Sequence, residues 1–527
     1  MEKLKIVCLL FCVLLACSEA AKILVVFPMP SRSHGNLGDG YVRHLLKAGH
    51  EVTYITPFTY KNAPANLRTI DVSDNFNVLN QDTLTLKTFI NEGGFDLNPA
   101  FMIFMMVEVV KSTVENEGVQ KLLNDPKEQF DAVVIEWMFS DVIAGFAAVF
   151  QSPLIWSSSV DPHWQVIQLI DEPLNPAYAV DAMSPYFPPL SFSQRLNELW
   201  IQLKAQFLRY VWLDSVEEKA YTSIFAPIAA KRGIKLPTYD ESRYNASLVL
   251  SNAYVTTSGG ASLPQSHKFI GGYHIDDTVI PLPEDLKKLM DNAKDGVIYF
   301  SMGSNLRSKD LPDEVKINLL KMFGSLKQTV LWKFEEVLPN LPKNVHILEW
   351  APQQAILAHP NLAVFITHGG LLSTTESIHF GVPIIGIPVF GDQFMNVEKS
   401  INKGFAQRVD LTYTMADELK KKIVEVTSNK RYAEKAKELS FIHHDRPVKP
   451  GQELVHWVNH VINTRGAPHL RSPALDLPFY KRKFLDLAAL IAVLLLAVYI
   501  LLKKACAFIC TRVCSKKGKT GSTKKNN

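Results

Sequence analysis

The chain has 527 residues, 47% hydrophobic and 20% charged, too long for one ordinary core and too apolar for a disordered protein, so two folded domains are expected. Its formal net charge of +4 comes from residues 503–527, which hold eight basic groups and no acid; the remainder is slightly acidic and excludes a nucleic-acid footprint. All six cysteines (Cys8, Cys12, Cys17, Cys506, Cys510, Cys514) lie near the ends, which excludes disulfides, thiol catalysis and cysteine metal sites from the body between them.

In chain order, MEKLKIVCLLFCVLLACSEA combines Lys3 and Lys5 with an apolar run from Ile6 to Ala16 and small residues Ser18 and Ala20, the pattern of a signal peptide over 1–20. From Lys22, KILVVFP reads as a buried parallel strand, MPSRSHGN as a loop, Leu37–Lys47 as a helix ended by Gly49, and EVTYIT as the next strand. The Phe- and Met-rich FDLNPAFMIFMMVEVV has side chains that adapt to varied apolar ligands, though each residue singly reads as buried helix. FDAVVIEWMFSDVIAGFAAVF and SPLIWSS repeat the strand–helix–strand grammar, so the first domain, 21–280, is expected to be a doubly wound parallel sheet. Between about Pro185 and Lys231 the apolar period becomes helical, through Leu196, Leu199, Trp200, Leu203, Phe207, Tyr210 and Val211. This stretch reads as an amphipathic core helix in preference to a membrane-surface one. Asn245-Ala246-Ser247 is the single N-glycosylation sequon.

After the Pro-containing GGYHIDDTVIPLPEDL, the strands VIYFSMG, TVLWKF, VHILEW, LAVFIT and PIIGIPV alternate with helices, marking a second α/β domain over 281–445. Two such domains are expected to face one another across a ligand cleft. Residues 446–483 read as a C-terminal helix and juxtamembrane linker, and the apolar stretch 484–502 is about one bilayer crossing at ~1.5 Å per residue. The basic tail 503–527 predicts a cytosolic end, hence type I topology with a lumenal body. Lys524 and Lys525 in the terminal KKNN have the spacing of a dilysine retrieval signal, which points to the endoplasmic reticulum membrane. A homodimer is left open, since the span has no GxxxG pattern to specify one.

The chemistry concentrates in THGGLLSTTE, Thr367–Glu376. A strand ends at Thr367, the chain turns through His368, Gly369 and Gly370, and a helix starts near Leu371. Glycines allow close backbone approach, and the free N–H groups of a helix start favour a phosphate, with His368, Ser373 and Thr374 as further donors. Glu376 would repel phosphate but suits a vicinal diol such as ribose, so the pair of features describes a nucleotide. With EWAPQQAIL upstream and PVFGDQFMN downstream, Trp350–Gln393 resembles the donor signature of the uridine diphosphate glycosyltransferases, in the membrane-anchored animal form and most like insect detoxification members. His368, Gly370, Ser373, Glu376, Pro383, Pro388, Asp392 and Gln393 all stand at the family's spacing.

That resemblance implies a GT-B fold, two Rossmann-like doubly wound α/β domains facing a cleft, followed by a transmembrane helix. It implies that Trp350 stacks on uracil with Gln353 at its edge, that Ser304, His368 and Ser373 bind the diphosphate beside the Gly370 turn, that Glu376 holds the ribose, and that Asp392 and Gln393 hold the sugar hydroxyls. The UDP-sugar is then a co-substrate, and no cofactor or metal is expected. His34 in PSRSHGN falls at the family's general base; neutral imidazole, with a reference pKa of about 6.5, can accept a proton near neutrality. Glu136 falls where the family places an aspartate to orient the base, and Asp141, further on, is the alternative carboxylate. The implied reaction is inverting transfer of a hexose, glucose ahead of glucuronate, to a hydroxyl of a small lipophilic acceptor. Glucuronate would call for a cation, for which Arg32 and Arg307 are candidates. A UDP-glucuronosyltransferase is one alternative; the other, of a different class, is a catalytically silent binder of lipophiles or sugar nucleotides. The tandem His443-His444 has no metal-ligand spacing and reads as surface.

Overall fold

The computed structural model describes residues 20–60, 62–79, 85–92, 99–181, 183–184, 186–260, 262–276 and 278–518. The signal segment up to residue 19, part of the Phe- and Met-rich stretch and the terminal dilysine lie outside the described residues.

Short runs of β-branched and aromatic residues form two all-parallel sheets. The first contains β1 (Lys22–Val26), β2 (Glu51–Thr56), β3 (Leu67–Asp71), β4 (Ala132–Trp137), β5 (Leu154–Ser158), β6 (Ala246–Ser251) and β7 (His267–Phe269), in the order β3-β2-β1-β4-β5-β6-β7. The second contains β8 (Val297–Ser301), β9 (Thr329–Lys333), β10 (Val345–Leu348), β11 (Leu362–Thr367), β12 (Ile384–Gly386) and β13 (Ala406–Arg408), in the order β10-β9-β8-β11-β12-β13. Helices cover both faces, so the central strands are buried apart from Lys22 at the start of β1, and their sequences run apolar instead of alternating. Strand order reverses between β1 and β4 and between β8 and β11, and such switch points open a crevice beyond the carboxyl ends of the strands. Sequence reading missed β3, β6, β7 and β13; β7 and β13 have only three residues, too short for periodicity to register.

The helix expected from Leu37 in fact begins at Arg32, so the loop reading of MPSRSHGN is corrected. Its glycines serve close packing, not chain reversal. A Cβ on Gly38 would stand 2.1 Å from the Tyr54 hydroxyl, and one on Gly35 would stand 2.6 Å from the Phe58 ring. His34 thereby sits in the first turn of a helix pressed onto the sheet.

Two segments tie the domains together. The helix Pro450–Asn463 returns to the first domain, where Leu454, Val458 and Val461 are buried in the same core as Ile23 and Val25 of β1. In the opposite sense, Leu86 and Phe89 of the helix Leu86–Glu92 enter the core of the second domain, and Phe89 stacks on Phe390 with centroids 5.5 Å apart.

Two expectations fail here. The helix Phe192–Leu208, with its continuation Arg209–Leu213, turns its apolar stripe outward, while Glu198, Gln202 and Arg209 are buried. His443 is also buried, with Nδ1 3.0 Å from the Thr256 hydroxyl; burial, with the nearby Arg446 charge, pushes its pKa down to about 2. His444 alone of the pair is at the surface.

Residues 472–527 form a separate unit. Within it, the helix Leu485–Gly518 contains Leu485–Arg512, mean hydropathy 2.8, the one helix among the described residues long and apolar enough to cross a membrane.

Candidate active site

A cleft of about 410 Å³ is lined by both domains: Ser33, His34 and Ser159 from the first, and Ser304, Trp350, Gln353, His368, Ser373, Glu376, Asp392 and Gln393 from the second. Both switch points open into it, because His34 follows β1, Ser304 follows β8 and His368 follows β11.

On the first-domain side, His34 Nδ1 lies 2.5 Å from Glu136 Oε1. β4 pairs with β1 through Val26↔Ile135, which sets Glu136 beside the strand end that leads to His34. The Ser159 hydroxyl donates to the same carboxylate oxygen, and the Glu136 side chain is 0% exposed. Burial by itself would lower the His34 pKa, but the Glu136 charge and hydrogen bond, with Asp392 from the other domain, hold it above its ordinary 6.5. With Nδ1–H donating to Glu136, Nε2 carries the lone pair.

Asp141 is elsewhere, and its candidacy as the partner of His34 is corrected. It accepts from Trp137 Nε1 at 2.7 Å and from Arg209 at 2.9 Å, and Arg209 also pairs with Glu217 at 2.9 Å. Near the start of a short helical turn, its carboxylate is committed to this internal ion cluster.

On the second-domain side, Gly369 takes φ +82° and Gly370 caps the helix Leu371–Phe380. A Cβ on Gly303 or on Gly370 would come within 2.5 Å of the His368 ring, so these two glycines make room for it. Burial and the Lys333 charge push the His368 pKa down to about 4, which leaves the ring neutral. Ser373 and Glu376 follow on the first turns of the helix, both buried. Gln353 Nε2 and Gln354 Nε2 donate to Glu376 at 2.6 and 3.1 Å, yet burial dominates and raises the Glu376 pKa to about 7. Gln353 also donates to Ser373 at 3.2 Å and accepts from Tyr299 at 3.2 Å, which joins its amide to the Glu376 end of the cleft. Trp350 is 64% exposed at the cleft rim. Asp392 is half-buried and accepts from Asn396 at 2.8 Å; Gln393 Oε1 accepts from the backbone of Val389 and Phe390, leaving its amide nitrogen as the group to meet a ligand.

Sequence reading missed five residues. Lys333, at the end of β9, donates to the Gly303 carbonyl at 3.0 Å and to Glu335 at 2.9 Å, and stands 5.7 Å from the Trp350 ring centre. A lysine closing the apolar run TVLW was the available signal. Asp161 and Lys399 form an ion pair across the domains, and the Ser31 hydroxyl donates to Asn305 across the cleft at 2.9 Å; nothing local in the sequence announces either. Lys333 is the one Lys or Arg lining the cleft among the described residues. Arg32 pairs with Asp39 at 3.1 Å and Arg307 with Asp310 at 2.9 Å, and neither lines it. Among the described residues, no group of three or more His, Cys, Asp or Glu side chains is arranged to hold a metal ion.

The model of the family described as UDP-glucoronosyl and UDP-glucosyl transferase matches residues 22–520. The chain belongs to this family. UDP-glycosyltransferase UGT5 of Dactylopius coccus is 32% identical over 516 residues, covering 95% of each chain. UDP-glucuronosyltransferase 1A1 of Rattus norvegicus is 26% identical over 543 residues, covering 98% of this chain and 97% of its own. Among solved structures, the calicheamicin glycosyltransferase CalG4 superposes with TM-score 0.56 at 16% identity, covering 85% of this chain and all of its own. A UDP-glucose:anthocyanidin 3-O-glucosyltransferase in complex with UDP does so with TM-score 0.54 at 18% identity, over 84% and 99%. The fold is therefore GT-B, and this UDP-glycosyltransferase transfers a glucosyl or glucuronosyl group from a UDP-sugar.

Proposed function

We propose that this UDP-glycosyltransferase transfers glucose from UDP-glucose to a hydroxyl of a small lipophilic acceptor, with inversion, using His34 as general base. The observation that carries the reading is the part-buried His34–Glu136 pair, which shares one cleft with Asp392 of the opposite domain. His34 Nε2 takes the acceptor's hydroxyl proton as that oxygen bonds to the anomeric carbon, and Glu136 stabilises the imidazolium that results. The anomeric carbon–oxygen bond to UDP breaks as the new one forms, and UDP leaves with the electron pair. One in-line displacement turns an α-linked donor into a β-glycoside.

Lys333, the neutral His368 and the helix start at Gly370 supply positive charge and donors where the leaving diphosphate gathers charge. Glu376 receives the ribose hydroxyls, Trp350 stacks on the uracil, and Asp392 with Gln393 reads the sugar hydroxyls. A neutral hexose is favoured over glucuronate because Asp392 faces the reacting end, while Lys333 stands near Trp350 and is already paired with Glu335. The enzyme is placed in the endoplasmic reticulum membrane, type I, with the exposed Asn245 open to lumenal glycosylation.

The test is turnover of the full chain with a planar phenol, comparing UDP-glucose with UDP-glucuronate by product mass, in the native chain and in His34→Ala. A β-glucoside lost in His34→Ala, with UDP still bound, supports the reading. UDP binding with no product from any donor would mean a silent binder.

A further inference from the structure

The body of the chain is free of thiols and the tail gathers them: no cysteine lies between Cys17 and Cys506, and Cys506, Cys510 and Cys514 then follow at a spacing of four. All three fall within the helix Leu485–Gly518, which runs from the apolar stretch into the basic tail. At about 100° per residue a step of four advances only about 40°, so the three positions share one face. Cys506 and Cys510 are exposed free thiols. Cysteine is a weaker helix former than alanine or leucine, so the helix does not by itself call for this row.

Their depth names the chemistry. From Leu485 to Leu502 the helix is about 27 Å long, close to the ~30 Å hydrocarbon layer of a bilayer, and Lys503 and Lys504 mark its end. Cys506 then lies about 6 Å and Cys510 about 12 Å further along, in and just past a headgroup layer roughly 5–8 Å deep. Between Lys504 and Arg512 the chain reads ACAFICT, without charge, and exposes Phe508 and Ile509, a composition suited to the water–hydrocarbon boundary. Arg512 folds back over the Phe508 ring, 4.4 Å from its centre, and from Leu487 to the last residue the chain has no acid. A thiol is thus presented at the leaflet surface among Lys503, Lys504 and Arg512, charges that attract the phosphates of an acyl-coenzyme A.

We infer that Cys506 and Cys510 are S-acylation sites that take a long-chain fatty acyl group from acyl-coenzyme A. The cysteine sulfur bonds to the acyl carbonyl carbon, the bond from that carbon to the coenzyme sulfur breaks, and the coenzyme thiolate takes the proton that the cysteine gives up. One thioester replaces another, so no oxidant or reductant is needed, and hydrolysis restores the thiol. The inference rests on the type I placement proposed above, which sets the tail in the cytosol, where thiols stay reduced. Acyl chains folded back into the leaflet from one helix face would fix the depth of the helix end and resist its tilting.

The full chain is expressed in cells fed alkyne-tagged palmitate, either native or with Cys506→Ser and Cys510→Ser together, and the captured protein is read for the tag before and after neutral hydroxylamine, which cleaves thioesters. The native chain should carry hydroxylamine-sensitive label and the double variant several-fold less, with glycosyl transfer unchanged as the sign that the variant is folded. A native chain without such label overturns the inference whether or not the variant folds, and so does equal label on the two chains. Treating sealed microsomes with hydroxylamine and then a membrane-impermeant maleimide separates this inference from the topology. Thiols that react there without any acyl label overturn the acylation alone, whereas thiols that react only after detergent overturn the type I placement and the acylation with it. A dimer on non-reducing gels that the double variant loses, without acyl label, also overturns the inference, since the thiols would then pair between copies.

Discussion

Replacing Glu136 with Gln tests the centre of the mechanism with almost no change of shape. Glu136 is wholly buried, and one of its oxygens receives both His34 and Ser159. The amide can still accept from His34 Nδ1 but no longer carries the charge that balances the imidazolium. A charge-assisted hydrogen bond of about 1.5–3 kcal/mol becomes a neutral one of about 0.5–1.5, a loss of roughly 1–2 kcal/mol, or about 5- to 30-fold in kcat. The pH dependence carries the more specific signature. Burial lowers the His34 pKa and Glu136 raises it, so the native ascending limb should lie above 6.5 and the Glu136→Gln limb should move to lower pH. The assay is kcat for a phenol acceptor with saturating UDP-glucose across the neutral range, with UDP affinity measured in parallel by calorimetry and expected to stay unchanged. A kcat within about twofold of the native enzyme at every pH, with an unmoved limb, would refute the reasoning.

On the proposed reading an ionised Glu376 accepts the ribose hydroxyls, so UDP should bind more tightly as pH rises through about 7, with proton release seen by calorimetry in buffers of differing ionisation enthalpy; Glu376→Gln should abolish both effects. The raised pKa also means that the ligand-free protein loses stability as pH climbs from about 4.5 to about 7 and no further above it, a loss that Glu376→Gln should remove from its thermal melting profile. Lys333→Met should raise the donor KM about tenfold, with a smaller change in kcat, because it removes one charge-assisted contact to the diphosphate. Asp141→Ala strips one partner from the buried cluster with Arg209 and Glu217, so it should cost about 3–5 kcal/mol of stability, read as a lower Tm, and leave the pH limb of the folded enzyme in place.

Features that depend on chain neighbours were legible from sequence. LAVFIT reads as a strand at the observed bounds, Leu362–Thr367, and the glycine turn into Leu371–Phe380 follows from local chemistry, because backbone approach and helix starts are short-range properties. The βαβ grammar was legible for the same reason, and the multi-point motif around it led to the family. Tertiary structure decided what meets what. Periodicity identified an apolar stripe on residues 196–211, but which side of that helix faces the core depended on the polar anchors Glu198, Gln202 and Arg209 finding distant partners. Gly35 of MPSRSHGN read as loop until Phe58, from the turn after the neighbouring strand, was seen against it. Glu136 and Asp141 were rivals in sequence; the pairing of β1 with β4 chose Glu136, because strand register sets which carboxylate lies beside the residue after the next strand's end. The Asp161–Lys399 pair joins segments separated by many residues, and proximity of that kind is created only when the two sheets close on one cleft.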